Sequence, residues 1–232
     1  MKNKLISPNL SQTWWGIGYL LFQMLALPTV LVLVFSLLNI FLDDTRLNLL
    51  YYTVNFAALV GIFWCFLEAS LRHAIRDIGN VLITAVVGLV LYWFSYTLVD
   101  FAIYYFFPDF FNVNDANIAT MAQGQLPVWA FATIVLVPPV EELIFRGALF
   151  GGFYAKHKLL AWPISVLSFA VMHTVGYIGQ YSWDHLLICT VQYLPAGICL
   201  AAAYRKSGNI LTPILIHAAV NTMAILSLAA MQ

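Results

Sequence analysis

Long apolar segments alternate with short polar connectors along most of this chain of 232 residues. A helix needs about 20 apolar residues to cross the hydrocarbon core of a bilayer. Segments of that length are 16–42, 47–67, 80–107, 126–150, 159–178, 185–204 and 210–231. The pattern therefore predicts an all-α fold, a polytopic transmembrane helix bundle of about seven spans. No internal repeat or appended soluble domain is visible, so residues 1–232 are predicted to form a single integral membrane domain.

Basic residues concentrate in alternate connectors, and this predicts how the bundle is oriented. Cytoplasmic connectors of membrane proteins are enriched in Lys and Arg. With a cytoplasmic N-terminus, Arg46 is the only basic residue in an outer connector, beside Asp43 and Asp44. We therefore predict a cytoplasmic N-terminus, with 68–77 (EASLRHAIRD) as an inner connector and 108–125 as an outer one. The basic residues predicted to lie inside are Lys2, Lys4, Arg72, Arg76, Lys156, Lys158, Arg205 and Lys206.

The overall composition excludes a water-soluble protein. Hydrophobic residues make up 62% of the chain and charged residues 9%, and the mean hydropathy is +0.88. Soluble domains carry about 25% charged residues, so lipid must be the main solvent of this protein. The formal net charge is zero, and no basic cluster is interleaved with aromatic residues. The sequence therefore predicts an integral membrane protein that binds no nucleic acid.

Two adjacent carboxyl groups, Glu141 and Glu142, lie inside the fourth predicted span, in the sequence EELIFR that ends at Arg146. Ionisable groups at membrane depth are costly, so they are usually paired or functional. Glu142 and Arg146 are four residues apart on one helix face and are predicted to form a structural ion pair. Glu141 points about 100° away from Glu142. It has no such partner, which makes it a candidate acid or base.

Two later spans also carry polar side chains. His173 ends the sequence FAVMH in the fifth span, and HAAVN places His217 and Asn221 on one face of the seventh. Each histidine alone is explained more simply as a hydrogen-bond partner between helices. Counted from the cytoplasmic boundary, however, Glu141 and these three residues lie between roughly 12 and 22 Å deep. They are therefore predicted to share one band near the middle of the membrane.

One carboxyl, two imidazoles and one amide are sufficient for hydrolysis. A carboxylate and an imidazole can bind a water molecule and accept its proton, while a second imidazole and an amide stabilise an oxyanion. The predicted catalytic residues are Glu141, His173, His217 and Asn221. Two histidines and a carboxylate are also a sufficient set for zinc, but the HExxH motif of other zinc proteases is missing. The prediction requires no cofactor; the ligands of a bound zinc would be Glu141, His173 and His217.

The three motifs together resemble the CAAX-protease and bacteriocin-processing family (CPBP, or Abi), which includes the type II CAAX prenyl endopeptidases. Its members carry EExxxR, FxxxH and HxxxN/D on successive core helices, and residues from about 128 to 224 carry EELIFR, FAVMH and HAAVN in that order. The resemblance implies an intramembrane endopeptidase in which Glu141 activates water with the help of His173. Both a zinc-dependent mechanism, as in a metalloendopeptidase, and a metal-free glutamate mechanism are argued for the family.

Further roles and partners are implied by the same resemblance. His217 and Asn221 would stabilise the oxyanion, and Glu142 and Arg146 would support the site. The substrate would be a peptide or a membrane-associated protein, in peptide maturation, bacteriocin processing, self-immunity or CAAX-type processing. The compact chain favours a protein of the bacterial cell membrane, and the short connectors favour substrate entry between helices or from the cytoplasmic side.

Two other function classes compete with the protease. A proton-coupled transporter could use Glu141 and the histidines as a relay, although the sequence shows no inverted repeat and a relay does not need Asn221. A non-catalytic immunity or scaffold protein could keep the same fold. Cleavage of a peptide that depends on Glu141 separates the protease from both.

Overall fold

A computed structural model describes residues 4–231, and this part of the chain folds into an all-helical bundle. The predicted all-α class is confirmed. The helices are α1 (Leu10–Leu25), α2 (Leu27–Leu37), α3 (Asp44–Ile62), α4 (Trp64–Arg76), α5 (Ile78–Phe106), α6 (Val113–Ala122), α7 (Leu126–Tyr154), α8 (Lys158–Met172), α9 (Trp183–Ser207) and α10 (Leu211–Met231). Lys2, one of the residues used for the orientation, lies outside the described residues.

The lengths of the helices support a membrane bundle. Within residues 4–231, 4 helices are long and apolar enough to cross a bilayer, namely α5, α7, α9 and α10. The pairs α1–α2 and α3–α4 are bent by 57° and 77°, and the number rises to 6 if each pair is one span. The fifth predicted span is shorter than expected, since α8 ends at Met172 after 15 residues. The count of seven and the cytoplasmic N-terminus stay predictions.

Two segments predicted as connectors are helices instead. Residues 68–77 belong almost entirely to α4, which buries Phe66, Ser70 and Ala74 at intervals of four residues. The amide of Asn209 donates to the carbonyl oxygen of Ser70 at 2.7 Å and ties α4 to the beginning of α10. Residues 108–125 contain α6, whose N-cap Asn112 accepts hydrogen bonds from the next turn. An average over hydropathy misses such short helices, because both contain many polar residues.

The helix that carries Glu141 has an irregular backbone. In α7, the segments Ala132–Leu136 and Leu143–Gly151 have π-helical hydrogen bonding, on either side of a short α-helical stretch with Pro138 and Pro139. A proline has no N–H to donate to the carbonyl group four residues earlier, so it disturbs the α-helical pattern. π-Helical turns of this kind are frequent at functional sites.

The second half of α7 forms the centre of the bundle. Every residue of Leu143–Gly151 is buried. Phe150 packs edge-on against Trp162 of α8 and also lies against Tyr204 of α9. Glycine allows the N-terminal helix to approach closely, because a Cβ added at Gly152 would lie 2.5 Å from Cγ2 of Thr13. This packed core fixes the depth and rotation at which Glu141 is presented.

Candidate active site

Glu141 lies between the two predicted histidines. Its Oε2 atom is 3.8 Å from Nε2 of His173 and 3.9 Å from Nε2 of His217. The three side chains come from α7, α8 and α10, and they retain 21%, 14% and 9% of their exposure. The structure therefore brings together residues that are up to 76 positions apart in the sequence.

His173 is held at the end of α8 by its other ring nitrogen. Nδ1 lies 2.8 Å from the carbonyl oxygen of Phe169, one turn earlier. Because a carbonyl oxygen only accepts, Nδ1 carries the hydrogen, and Nε2 of a neutral ring presents its lone pair to Glu141. One face of the ring stacks on Tyr193 of α9, with ring centroids 4.1 Å apart.

His217 is held by the second glutamate of the pair. Its Nδ1 lies 2.9 Å from Oε1 of Glu142, and the same oxygen accepts from Arg146 at 3.1 Å. Glu142 and Arg146 are completely buried. Arg146 also donates to the carbonyl oxygen of Gly197 at 3.4 Å and lies 4.2 Å above the ring of Phe169. The predicted pair of Glu142 and Arg146 is thus present, and it also orients a predicted catalytic residue.

Asn221 lies one turn beyond His217 on α10. Its side-chain amide donates to the carbonyl oxygen of Thr133 at 2.7 Å, in the first π-helical segment of α7. This hydrogen bond fixes the orientation of the amide and uses one of its two N–H groups. The other N–H group remains for a ligand.

The hydrogen bonds described so far leave acceptors near Glu141 without a hydrogen-bond donor. Oε2 of Glu141 is buried and has no hydrogen-bond partner among the described residues. The Nδ1 hydrogen of His173 already points to Phe169, so Nε2 of the neutral His173 ring offers a second acceptor to the same space. Acceptors converging in a buried site need a donor between them, and a water molecule can supply two hydrogens.

A cavity of about 710 Å³ adjoins this cluster. Glu141, His173, His217 and Asn221 all line it, whereas Glu142 and Arg146 lie behind its wall. Much of the wall is aromatic or aliphatic, as expected of a site that holds an extended organic ligand. The apolar and aromatic wall residues include Tyr52, Tyr92, Trp129, Val137, Phe169 and Ile225.

Two of the distances between the predicted zinc ligands are longer than they would be around a bound zinc. Ligands 2.0–2.1 Å from a tetrahedral zinc are roughly 3.3 Å from one another, and both contacts of Glu141 are longer. Within residues 4–231, no group of three or more His, Cys, Asp and Glu side chains is arranged to hold a metal. The prediction of a metalloendopeptidase therefore receives no support.

The sequence did not indicate two neighbours of the site. Tyr193 stacks on His173, and its hydroxyl lies 2.8 Å from Asp115 of α6. Neither residue belongs to a motif, and only the packing of α6 against α9 brings them to the cavity. Asp100 of α5 accepts from Gln192 of α9 at 2.6 Å. That bond holds α5 to α9 and lies outside the cavity wall.

Comparison with known proteins finds similarity in the region that contains this site. Residues 123–223 match the family model of the type II CAAX prenyl endopeptidase Rce1-like proteins. UPF0177 protein YbdI of Lactococcus lactis subsp. lactis (strain IL1403) is 24% identical over 183 residues, which cover 78% of this chain and 91% of the relative. The protein named "Putative membrane peptidase YdiL" of Bacillus subtilis (strain 168) is 25% identical over 183 residues, 76% of this chain and 70% of the relative.

A shorter match has higher identity. UPF0177 protein YxdF of Lactococcus lactis subsp. lactis (strain IL1403) is 34% identical over 100 residues, 42% of this chain and 50% of the relative. No solved structure gives a significant match. The matched region contains all three motifs and every residue of the Glu141 cluster. The predicted resemblance to the CAAX-protease and bacteriocin-processing family is therefore confirmed by the match of residues 123–223 to the Rce1-like family model.

Proposed function

We propose that this protein is an intramembrane endopeptidase in which Glu141 activates a water molecule for attack on a peptide bond. Membership of the Rce1-like family and the name of the Bacillus relative support a membrane peptidase. The observation that carries the proposal is the buried, unpartnered Oε2 of Glu141, which faces Nε2 of two histidines beside a large cavity. The relatives of Lactococcus and Bacillus support a location in a bacterial cell membrane.

The first step is removal of a proton from water. The water molecule donates one hydrogen to Oε2 of Glu141 and the other to Nε2 of neutral His173, so its oxygen lone pair is free. Attack on the carbonyl carbon of the peptide forms a C–O bond, and the proton passes to Glu141. Because Phe169 holds Nδ1 of His173, the ring stays in the tautomer that this step requires.

The second requirement is stabilisation of the oxyanion. The N–H of Asn221 that does not bind Thr133 is one donor. His217 can donate from Nε2 only when it carries a second proton, since its Nδ1 hydrogen is given to Glu142. The Nδ1 hydrogen of His217 has a carboxylate oxygen as its acceptor, whereas that of His173 has a carbonyl oxygen. The different partners of the two rings thus assign His217 to the oxyanion and His173 to the water.

The last step is departure of the amine. The proton held by Glu141 passes to the peptide nitrogen as the C–N bond breaks, which restores the carboxylate and releases both products. Glu142 and Arg146 take no part in these transfers. They hold His217, and their opposite charges compensate each other in the buried region.

Reconstituted protein tests the proposal. Wild type, Glu141→Gln, His173→Ala and the control Glu68→Gln are compared in liposomes with a library of internally quenched peptides. We expect the Glu141→Gln change, which keeps the shape of the side chain, to lower kcat at least about 10²-fold. Glu68 lies on α4 and is exposed, so its variant should match wild type.

Two results would contradict the mechanism. One is a Glu141→Gln protein that cleaves as fast as wild type. The other is a wild type that cleaves no peptide but shows a solute flux that depends on Glu141, which favours the transporter. Mass spectrometry of the products gives the position of cleavage and so the first substrate preferences.

A further inference from the structure

The two ends of the bundle differ in charge, and the basic residues gather at one of them. The backbone N–H of Ile6 donates to Gly208, and Arg205 donates to the hydroxyl of Tyr154 at 2.7 Å. Asn209 binds α4 at Ser70. These contacts join the N-terminal segment, α4, the end of α7 and the link between α9 and α10. The basic end therefore carries Lys4, Arg72, Arg76, Lys156, Lys158, Arg205 and Lys206.

The other end of the bundle is acidic. It consists of the beginning of α3, the helix α6, the beginning of α9 and the end of α10. A ring nitrogen of His185 in α9 lies 3.0 Å from the carbonyl oxygen of Phe111, next to α6. Arg46 is the one basic side chain that residues 4–231 place here, and it pairs with Asp43 at 3.3 Å. The acidic residues at this end are Asp43, Asp44, Asp109, Asp115 and Asp184.

The catalytic cluster is sealed from the basic end. Between Glu141 and that end lie the nine consecutive buried residues Leu143–Gly151. Phe145 contacts Phe169 edge-on, with ring centroids 5.4 Å apart, and Phe150 packs on Trp162 and Tyr204. Such packing leaves no path for a peptide in this direction.

The cavity extends from Glu141 toward the acidic end. Its wall includes Asn48 near the beginning of α3, Asp115 and Asn117 of α6, and Ser227 near the end of α10. Asp115 and Ser227 are exposed. Polar side chains thus mark the mouth, while the apolar wall lies deeper. Among the described residues, Asp115 is the one charged wall residue apart from the Glu141 cluster.

We propose that the cavity opens on the extracytoplasmic face, so that the substrate is a peptide or protein segment exposed outside the cytoplasm. The basic end faces the cytoplasm because Lys and Arg are retained on that side, and the mouth lies at the opposite end. This inference rests on the proposed function and differs from the expected entry between helices or from the cytoplasmic side. Asp115 at the mouth disfavours acidic substrate segments, since like charges would meet there.

Cysteine labelling in intact cells decides which side the mouth faces. Cys65, Cys189 and Cys199 are first replaced by alanine, and Ser227→Cys or Lys156→Cys is then introduced. Serine and cysteine have nearly the same shape, and Lys156 is an exposed residue at the basic end. We expect a membrane-impermeant maleimide to label the Ser227→Cys protein in intact cells and the Lys156→Cys protein only after lysis.

The opposite labelling pattern, or labelling of both proteins in intact cells, would overturn the proposal. So would a Ser227→Cys protein that is labelled only after lysis. These outcomes do not depend on catalysis, and they therefore stand even if the proposed function fails.

Cleavage of added peptides by intact cells tests whether the substrate reaches the site from outside the cytoplasm. Peptides from the quenched library that the detergent-solubilised wild type cleaves are added to intact cells. Cells with wild type should cleave them at least tenfold faster than cells with Glu141→Gln. Cleavage in detergent but not by intact cells would refute extracytoplasmic access alone. Absence of cleavage that depends on Glu141 in detergent would refute the peptidase itself.

Discussion

Replacing Glu142 or Arg146 singly should destabilise the protein far more than replacing both together. The two side chains are completely buried, and the Nη1–Oε1 distance is 3.1 Å. Breaking a buried ion pair by removing one partner typically costs about 3–5 kcal/mol, because the remaining charge is left without compensation. Removing both charges is often nearly neutral when the volume is kept. We therefore expect about 3–5 kcal/mol for Glu142→Gln or Arg146→Met, and less than about 2 kcal/mol for the double variant.

Equilibrium unfolding by SDS in mixed micelles measures these free energies, with tryptophan fluorescence as the signal. The exposed pair of Glu68 and Arg72 on α4 is a matched control, since it has the same spacing but side chains that are 47% and 67% exposed. Its variants should change stability by no more than about 1 kcal/mol. The buried pair should show a coupling free energy of at least about 3 kcal/mol.

The same variants distinguish the effect of Glu142 on the site from its effect on the stability of the fold. The double variant should fold nearly as stably as wild type but remain impaired in cleavage, because an amide oxygen is a weaker acceptor than the Glu142 carboxylate for the Nδ1 hydrogen that orients His217. Additive destabilisation by the two changes would refute the reasoning, since it would mean that the charges do not compensate each other. A fully active double variant would show that Glu142 does not act through His217.

Four further predictions test neighbouring parts of the site. Asn221→Ala should lower kcat about 10²–10³-fold with little change in KM, as expected for loss of an oxyanion donor; an unchanged kcat would exclude the assignment. Tyr193→Ala should lower activity about 2- to 10-fold, whereas Tyr193→Phe, which keeps the stack on His173, should stay near wild type. Gly152→Ala should cost about 1–3 kcal/mol in SDS unfolding, and Thr13→Ala should restore most of it. Cleavage should persist in 1,10-phenanthroline, and a loss that added zinc reverses would contradict the metal-free mechanism.

The cluster around Glu141 could be predicted from the sequence because local spacing and depth constrain it strongly. Four-residue spacing pairs Glu142 with Arg146 and places Asn221 beside His217, and helix rise gives their depth. The same reasoning could not find the contact of Glu142 with His217. That contact depends on the rotation of α10 relative to α7. Packing between the helices sets this rotation, and the sequence of neither segment alone predicts it.

The parts of the fold that sequence patterns missed are short and polar. In α4, the buried positions Phe66, Ser70 and Ala74 include two small residues, so a hydropathy average resembles that of a loop. In α6, the asparagines and Asp115 make the sequence resemble a loop. Hydrogen bonds to Tyr193 and Gln192 connect this segment to α9. Both segments are stabilised by tertiary contacts with neighbouring helices.

The geometry of His217 explains why two consecutive glutamates are present. Glu142 binds Nδ1 at 2.9 Å, and Oε2 of Glu141 lies 3.9 Å from Nε2, so adjacent residues of α7 reach opposite nitrogens of one ring. Consecutive residues of a helix point about 100° apart. Two adjacent glutamates can therefore contact opposite nitrogens of one ring only if the ring lies against the helix between their two side chains. The prolines and π-helical turns on either side adjust α7 at this position. In the proposed mechanism, Glu142 keeps Nδ1 of His217 in place while Glu141 accepts the proton from water, so each task has its own carboxyl group.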